Sequence, residues 1–357
     1  MFDILPHPEP TSPDVLAGHL IEPGFGKVFT DHMATIRWTS DKGWHDAQIG
    51  PRRPFAIDPA AGVLHYAQEI FEGMKAYRSG DGVVLFRPLE NAARFARSAE
   101  RLAMPVLPDA LFLEAVERLV NIDRDWIPTT EGSSLYLRPF MFATEAFLGV
   151  RPAMEYTFCV IASPAGAYFK GGAKPVKLWV SDDYTRAARG GTGAAKCGGN
   201  YAGSLAAQAE AVENGCDQVV FLDAAEHRWI EELGGMNLFF VFDDNTLRTP
   251  PLGTILPGIT RDSILTLARD RGMTVEEAPY SIEDWKADAA SGRLTEAFAC
   301  GTAAVVAAVG ELRWAGGSQA IAGGAEGPLT IALRGELTAL QRGEGADPHG
   351  WRHVIPS

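Results

Sequence analysis

Paired cysteines are missing from this chain. Its four cysteines, Cys159, Cys197, Cys216 and Cys300, are scattered with no CxxC spacing, which argues against a metal site and against a disulfide framework. Positive charge is also scarce. The chain has 32 Lys and Arg against 45 Asp and Glu, a formal net charge of -13, which disfavours nucleic acid or an anionic membrane as partner. No apolar run approaches the roughly 20 residues that a membrane helix needs. The opening Met1-Phe-Asp-Ile-Leu-Pro-His-Pro lacks the basic-then-apolar layout of a secretory signal. Internal repeats are absent. These absences together point to a reducing cytoplasm.

What remains has the composition of an ordinary globular enzyme, with 46% hydrophobic and 22% charged residues. A length of 357 residues suggests two domains. The stretch that stands out is Arg186-Ala-Ala-Arg189-Gly190-Gly191-Thr192-Gly193-Ala-Ala-Lys196-Cys197-Gly198-Gly199-Asn200-Tyr201. Glycines on both sides of one lysine permit positive φ and close approach of the backbone to a ligand. Desolvation there favours the neutral, nucleophilic amine, which chemistry with an aldehyde cofactor requires. A solvated lysine in a plain glycine loop is the ordinary alternative. A phosphate loop fits less well, because the GxxxxGK[ST] spacing is missing.

Around this stretch the chain alternates strand and helix patterns. Lys27 to Trp38 reads as a strand, Leu89–Leu102 as an amphipathic helix with basic positions at 94, 97 and 101, and Pro108–Asp123 as a second helix. Residues 134–142 alternate as a strand that puts Tyr136, Arg138 and Phe140 on one face. A buried arginine there needs a partner, so an ion pair and a ligand role both stand open. Helices follow at 202–213, ended by Asn214-Gly215, and at 328–342, with a hairpin in the glycine-rich stretch 310–327. Glu231 and Glu232 precede a glycine turn and an apolar strand; spacing alone leaves the choice between them open. Leu256-Pro-Gly258-Ile259-Thr260 leads into a helix N-terminus suited to phosphate, and Cys300-Gly301-Thr302-Ala303 forms a second such turn.

Gly191-Thr-Gly-Ala-Ala-Lys196-Cys-Gly-Gly-Asn-Tyr201 resembles the cofactor-lysine segment of the branched-chain amino acid aminotransferases, which are pyridoxal-phosphate enzymes of fold type IV. The similarity runs from Phe25-Gly-Lys-Val-Phe-Thr-Asp-His-Met33 to Cys300-Gly-Thr-Ala303, with the motifs in the family's order. It implies an α/β (α+β) two-domain fold with the active site between the domains. The expected partition is an N-terminal domain over 1–163, a linker over 164–175, and a cofactor-binding domain over 176–357. The cofactor implied is pyridoxal 5'-phosphate, with no metal. The resemblance makes Lys196 the residue that holds the aldehyde and moves the substrate's proton. It places Arg94, Thr260 and Thr302 on the phosphate, with Ile259 and Tyr201 also lining the cofactor. By the family's spacing it selects Glu232 for the ring nitrogen; Gly235 stands where some relatives carry threonine. Phe25, Tyr66, Phe71, Tyr136, Arg138, the linker Tyr168 and Ala303 are implied as substrate contacts. Tyr66 and the Leu148-Gly149-Val150 loop are expected to cross a homodimer interface into a shared site.

The implied reaction moves the amino group of L-leucine, L-isoleucine or L-valine to 2-oxoglutarate and yields L-glutamate. A sibling of the same fold, a D-amino acid aminotransferase or aminodeoxychorismate lyase, is the nearest alternative. A nucleotide-binding or cofactor-free regulatory protein is a more distant one.

Overall fold

The computed structural model describes residues 2–80, 82–166 and 174–355. They form two compact units. One holds the residues up to 166 together with Ala195–Gly198 and the stretch from Ala339 on; the other holds 174–194 and Gly199–Thr338. Two pieces expected in the C-terminal domain therefore lie in the first unit: the four residues around Lys196, and the C-terminal tail. The tail joins through strand Arg352–Ile355, which pairs antiparallel with Gly82–Phe86. Such a distant pairing leaves no trace in local periodicity.

The first unit is built on a nine-stranded sheet. Its order is Asp3–Ile4, Gly43–Pro51, His32–Thr39, Glu155–Ala165, Ser134–Ala143, Met74–Ser79, Gly82–Phe86, Arg352–Ile355, with Glu69–Phe71 also pairing to Ser134–Ala143. Helices Pro88–Arg101 and Asp109–Ile122 contribute Phe95 and Phe112, which meet Phe158 of the sheet with ring centroids 5.4–5.9 Å apart. All three rings are buried, so truncating one to alanine costs about 3–5 kcal/mol. Strand Ser134–Ala143 sends Leu135, Leu137 and Met141 into this core. Its period of two leaves Tyr136, Arg138 and Phe140 on the opposite face, as expected. Helix Pro13–Ile21, not foreseen in the proline-rich start, buries none of its residues.

The second unit also has nine strands. Ile230–Leu233, Gln218–Leu222, Val176–Val180, Val305–Trp314, Leu294–Gly301 and Asn237–Phe242 follow one another, and the last pairs back to the first, so these strands close into a ring. The closing contact is the pair Glu232 and Asn237. Thr246–Thr249 and Thr274–Glu277 extend the sheet, while Gly317–Ala320 forms a hairpin with Val305–Trp314. Phe240, Tyr280 and Trp285 pack edge-on in its core. Helix Ile282–Ser291 is fixed at its start by Ser281 Oγ, which accepts from the Asp284 N–H. Gly215 ends helix Leu205–Glu213 in the left-handed region, as the sequence suggests. No helix among the described residues is long and apolar enough to cross a membrane.

Candidate active site

In the first unit, Lys196 is held by its backbone. Its carbonyl accepts from Phe71 N–H at 2.9 Å, and its own N–H donates to Ser98 Oγ at 2.9 Å. Two residues on, Gly198 N–H donates to the Glu69 carboxylate. Ser98 is fully buried and donates its own proton to the Arg94 carbonyl, so the lysine peptide is anchored on helix Pro88–Arg101. The amine of Lys196 lies 4.9 Å from the centroid of the Phe71 ring. The Arg138 guanidinium lies 4.8 Å from the same centroid. Arg138 Nη2 donates to Tyr136 Oη at 3.2 Å, and the Phe25 ring meets Tyr136 edge-on at 5.0 Å. Gly73 is required here, because a Cβ at that position would overlap the Tyr136 hydroxyl. Five expected residues, Phe25, Phe71, Tyr136, Arg138 and Lys196, thus form one cluster. Arg138 Nε is buried there with no hydrogen-bond partner among the described residues.

Arg94 departs from expectation. Its fork, foreseen as a phosphate clasp, grips Glu72: Nε to Oε1 at 2.7 Å and Nη2 to Oε2 at 2.8 Å. Asn91 adds a third bond to Glu72 at 2.8 Å. Both charges are buried, and burial works against the carboxylate. Arg94, Lys196 and Asn91 outweigh it and hold Glu72 below its ordinary range. Of the three basic positions on this helix only Arg94 is buried; Arg97 and Arg101 are not. Tyr66 ends the short helix Gly62–Tyr66 and donates to the Leu148 carbonyl, so the two segments expected to cross an interface are bonded to each other. Leu64, Leu148 and Val150 nearby are 59%, 67% and 86% exposed.

In the second unit the lysine segment's flanks are tied together. Thr192 Oγ1 and the Asn200 side chain share a 2.6 Å bond, and Asn200 Nδ2 donates to the Thr192 carbonyl at 2.8 Å. Of the flanking glycines, only Gly190 adopts positive φ. Gly193 serves close approach instead, since a Cβ there would overlap the Thr254 carbonyl. Glu232 is buried and fully engaged. Its Oε1 accepts from Arg186 Nη1 at 2.8 Å and from Leu256 N–H at 2.9 Å, while Oε2 accepts from Asn237 Nδ2 at 3.1 Å. Glu231, one residue earlier on the strand, instead takes the Thr254 hydroxyl. Arg186, Asn237 and Thr254 were not singled out from the sequence.

Tyr201 sits on helix Gly198–Ala202 with its ring against Gly235. Ile259 and Thr260 open helix Ile259–Asp270, with Gly258 as the N-cap and Thr260 buried. Thr302 and Ala303 form the turn between strands Leu294–Gly301 and Val305–Trp314. That turn exits through Val305 at φ 62°, a costly conformation for a β-branched residue and one that concentrates at functional turns. Tyr168 lies outside the described residues. All four cysteines are free and buried.

Comparison with known proteins gives the chain's family. Residues 69–312 match the family described as Amino-transferase class IV. The chain is 57% identical over 357 residues to the probable branched-chain-amino-acid aminotransferase of Streptomyces coelicolor, covering 99% of this chain and 98% of that one. It is 55% identical over 356 residues to the branched-chain-amino-acid aminotransferase of Mycolicibacterium smegmatis, covering 98% and 97%. Among solved structures, the branched-chain amino acid aminotransferase of Escherichia coli superposes with a TM-score of 0.73 at 30% identity, covering 91% of this chain and 100% of that one. The chain belongs to the class IV aminotransferases, among the branched-chain-amino-acid aminotransferases of that family.

Proposed function

We propose that this protein binds pyridoxal 5'-phosphate and transfers the amino group of L-leucine, L-isoleucine or L-valine to 2-oxoglutarate, releasing the branched 2-oxo acid and L-glutamate. The observation that carries the reading is Lys196. Its peptide is pinned by Phe71, Ser98 and the Glu69–Gly198 bond, while its amine lies over an aromatic ring beside Arg138. Each unit offers groups that suit the cofactor: a held amine and a buried arginine in the first, and a buried carboxylate and a helix start at Ile259–Thr260 in the second. When bound, the cofactor supplies an aldehyde and an electron-withdrawing ring that stabilises negative charge at the substrate's Cα.

The chain's own residues then have distinct tasks. Lys196 Nζ would hold the cofactor's aldehyde and, when free of it, would move the proton at the substrate's Cα. Glu232, held by Arg186, Asn237 and the Leu256 N–H, would face the ring nitrogen and favour its protonated form. Arg94, Thr260 and Thr302 take the phosphate, with Ile259 and Tyr201 beside the cofactor. Arg138 with Tyr136, and the backbone at Ala303, take substrate carboxylate; Phe25, Phe71 and Tyr66 offer the apolar wall. A panel of L- and D-amino acids with 2-oxoglutarate tests the assignment. Turnover of the three branched L-substrates is expected; preference for D-amino acids, or no transamination, contradicts it.

Assembly as a homodimer in the cytoplasm is part of the same reading, supported by the exposed apolar residues around Tyr66 and by the buried free thiols. Inactive Lys196→Ala and Tyr66→Ala subunits are mixed and allowed to exchange. A shared site returns activity towards half per mixed dimer, because one pocket then carries neither defect. No recovery despite proven exchange would mean that each chain supplies its own Tyr66.

A further inference from the structure

Glu231 has no task in the chemistry just described, yet it is only 7% exposed. Neighbours on a strand point to opposite faces, so Glu231 and Glu232 serve different surroundings. A buried carboxylate is costly unless it is bonded. Here Oε1 accepts the Thr254 hydroxyl, while Oε2 has no partner among the described residues. Burial pushes this carboxyl up, against the pull of Thr254 and Arg186.

Thr254 lies in the loop that leads into helix Ile259–Asp270, and its carbonyl fills the space beside Gly193 where a side chain would otherwise stand. The Gly193 carbonyl in turn accepts from Arg186 Nη1 at 3.4 Å, and that same nitrogen lies 2.8 Å from Glu232. Glu232 closes the path by accepting from Leu256 N–H, two residues past Thr254. Gly193, three residues ahead of Lys196, is therefore wedged between two adjacent glutamates. One acts through a threonine, the other through an arginine.

We propose that Glu231 is a positioning residue: through Thr254 it sets the place of the segment that delivers Lys196, and so the affinity for cofactor. This rests on the reading that Lys196 carries pyridoxal phosphate. Only one oxygen of Glu231 is used, so an amide keeps the contact where an apolar residue loses it.

The test titrates apoprotein with pyridoxal phosphate, followed by its visible absorption band, and measures hydrogen exchange at amides 190–194 with and without cofactor. Thr254→Val and Glu231→Leu are each expected to weaken cofactor binding about tenfold, the scale of one hydrogen bond to a charged group. Both should also speed exchange at 190–194. Thr254→Ser and Glu231→Gln should stay within about twofold of wild type, because each preserves the bond. The Thr254→Val/Glu231→Leu double variant should be no weaker than the weaker single one, since both remove one interaction. Wild-type affinity and exchange in Thr254→Val would overturn the proposal, as would simple additivity in the double variant. If Glu231→Leu fails to fold, Thr254→Val decides alone, because it removes only a hydroxyl. A wild-type protein that gives no band overturns the cofactor reading, while exchange at 190–194 in the variants still judges the clamp.

Discussion

Each unit of this protein buries one glutamate–arginine pair with an asparagine amide on the carboxylate, and the two pairs are built differently. Arg94 grips Glu72 with two parallel bonds, the geometry that gives an ion pair most of its strength. Arg186 Nη1 lies 2.8 Å from Glu232 Oε1, and Arg186 Nε is buried with no partner among the described residues. The carboxylate of Glu232 is then finished by a backbone N–H and by Asn237 at the closing point of a strand ring. A two-point clasp satisfies both charges within the pair. The backbone and amide bonds to Glu232 fix where its carboxylate sits, which suits a group proposed to face a ligand. The first pair closes on itself, and the second is tied into the backbone around it.

The largest expected effect is at Lys196, the residue proposed to hold the cofactor. Lys196→Ala should abolish transamination while leaving the melting temperature close to wild type, checked by assay and thermal melt; residual turnover near wild type would remove the lysine from the mechanism. Next comes the clasp. Glu72→Ala leaves the Arg94 guanidinium buried and unpaired from its carboxylate, a loss of about 3–5 kcal/mol in denaturant unfolding. Replacing both partners by methionine should recover much of that stability but not cofactor affinity, which separates the pair's structural role from any phosphate contact. Equal recovery of both would erase the distinction drawn between the two pairs.

Glu232→Gln keeps the shape of the second site and removes its charge. It should slow kcat by about 10²–10³-fold, whereas Glu231→Gln should stay near wild type. The reverse pattern in steady-state kinetics would exchange the roles of the two glutamates. The smallest effect concerns a half-buried cation, Lys75. Burial, and then the nearby charge of Arg342, lower its pKa from 10.5 to about 8. The unfolded chain therefore holds this proton up to higher pH than the folded one. Its penalty is fully present below about pH 8 and is relieved as pH rises towards 10.5. Its full size is about 3 kcal/mol. Urea midpoints of wild type and Lys75→Met, compared from pH 7 to 10, should converge with rising pH; a constant gap would contradict the account.

The sequence made some of this legible and hid the rest for a physical reason. Tyr136 and Arg138 could be placed together because a strand's period of two is local. Lys196 stood out because glycines cluster around it. Thr260 at a helix start follows from Pro-Gly before an amphipathic run. Glu72, Ser98, Arg186 and Thr254 were silent, because each matters through a partner far along the chain. Ser98 meets Lys196 across 98 residues, and Glu231 meets Thr254 across 23. The basic helix shows the same limit. Three arginines look alike in sequence, and only the tertiary partner Glu72 distinguishes Arg94. The tail's return to the first sheet belongs here too.

The central claim is that one lysine, held by its backbone, carries the cofactor. Borohydride reduction of the pyridoxal-phosphate-loaded protein, followed by peptide mapping, tests it most directly, because reduction turns a lysine–cofactor linkage into a stable secondary amine. A single label on Lys196 is the result expected. Label on any other lysine, or none on a protein that has bound the cofactor, would contradict the account.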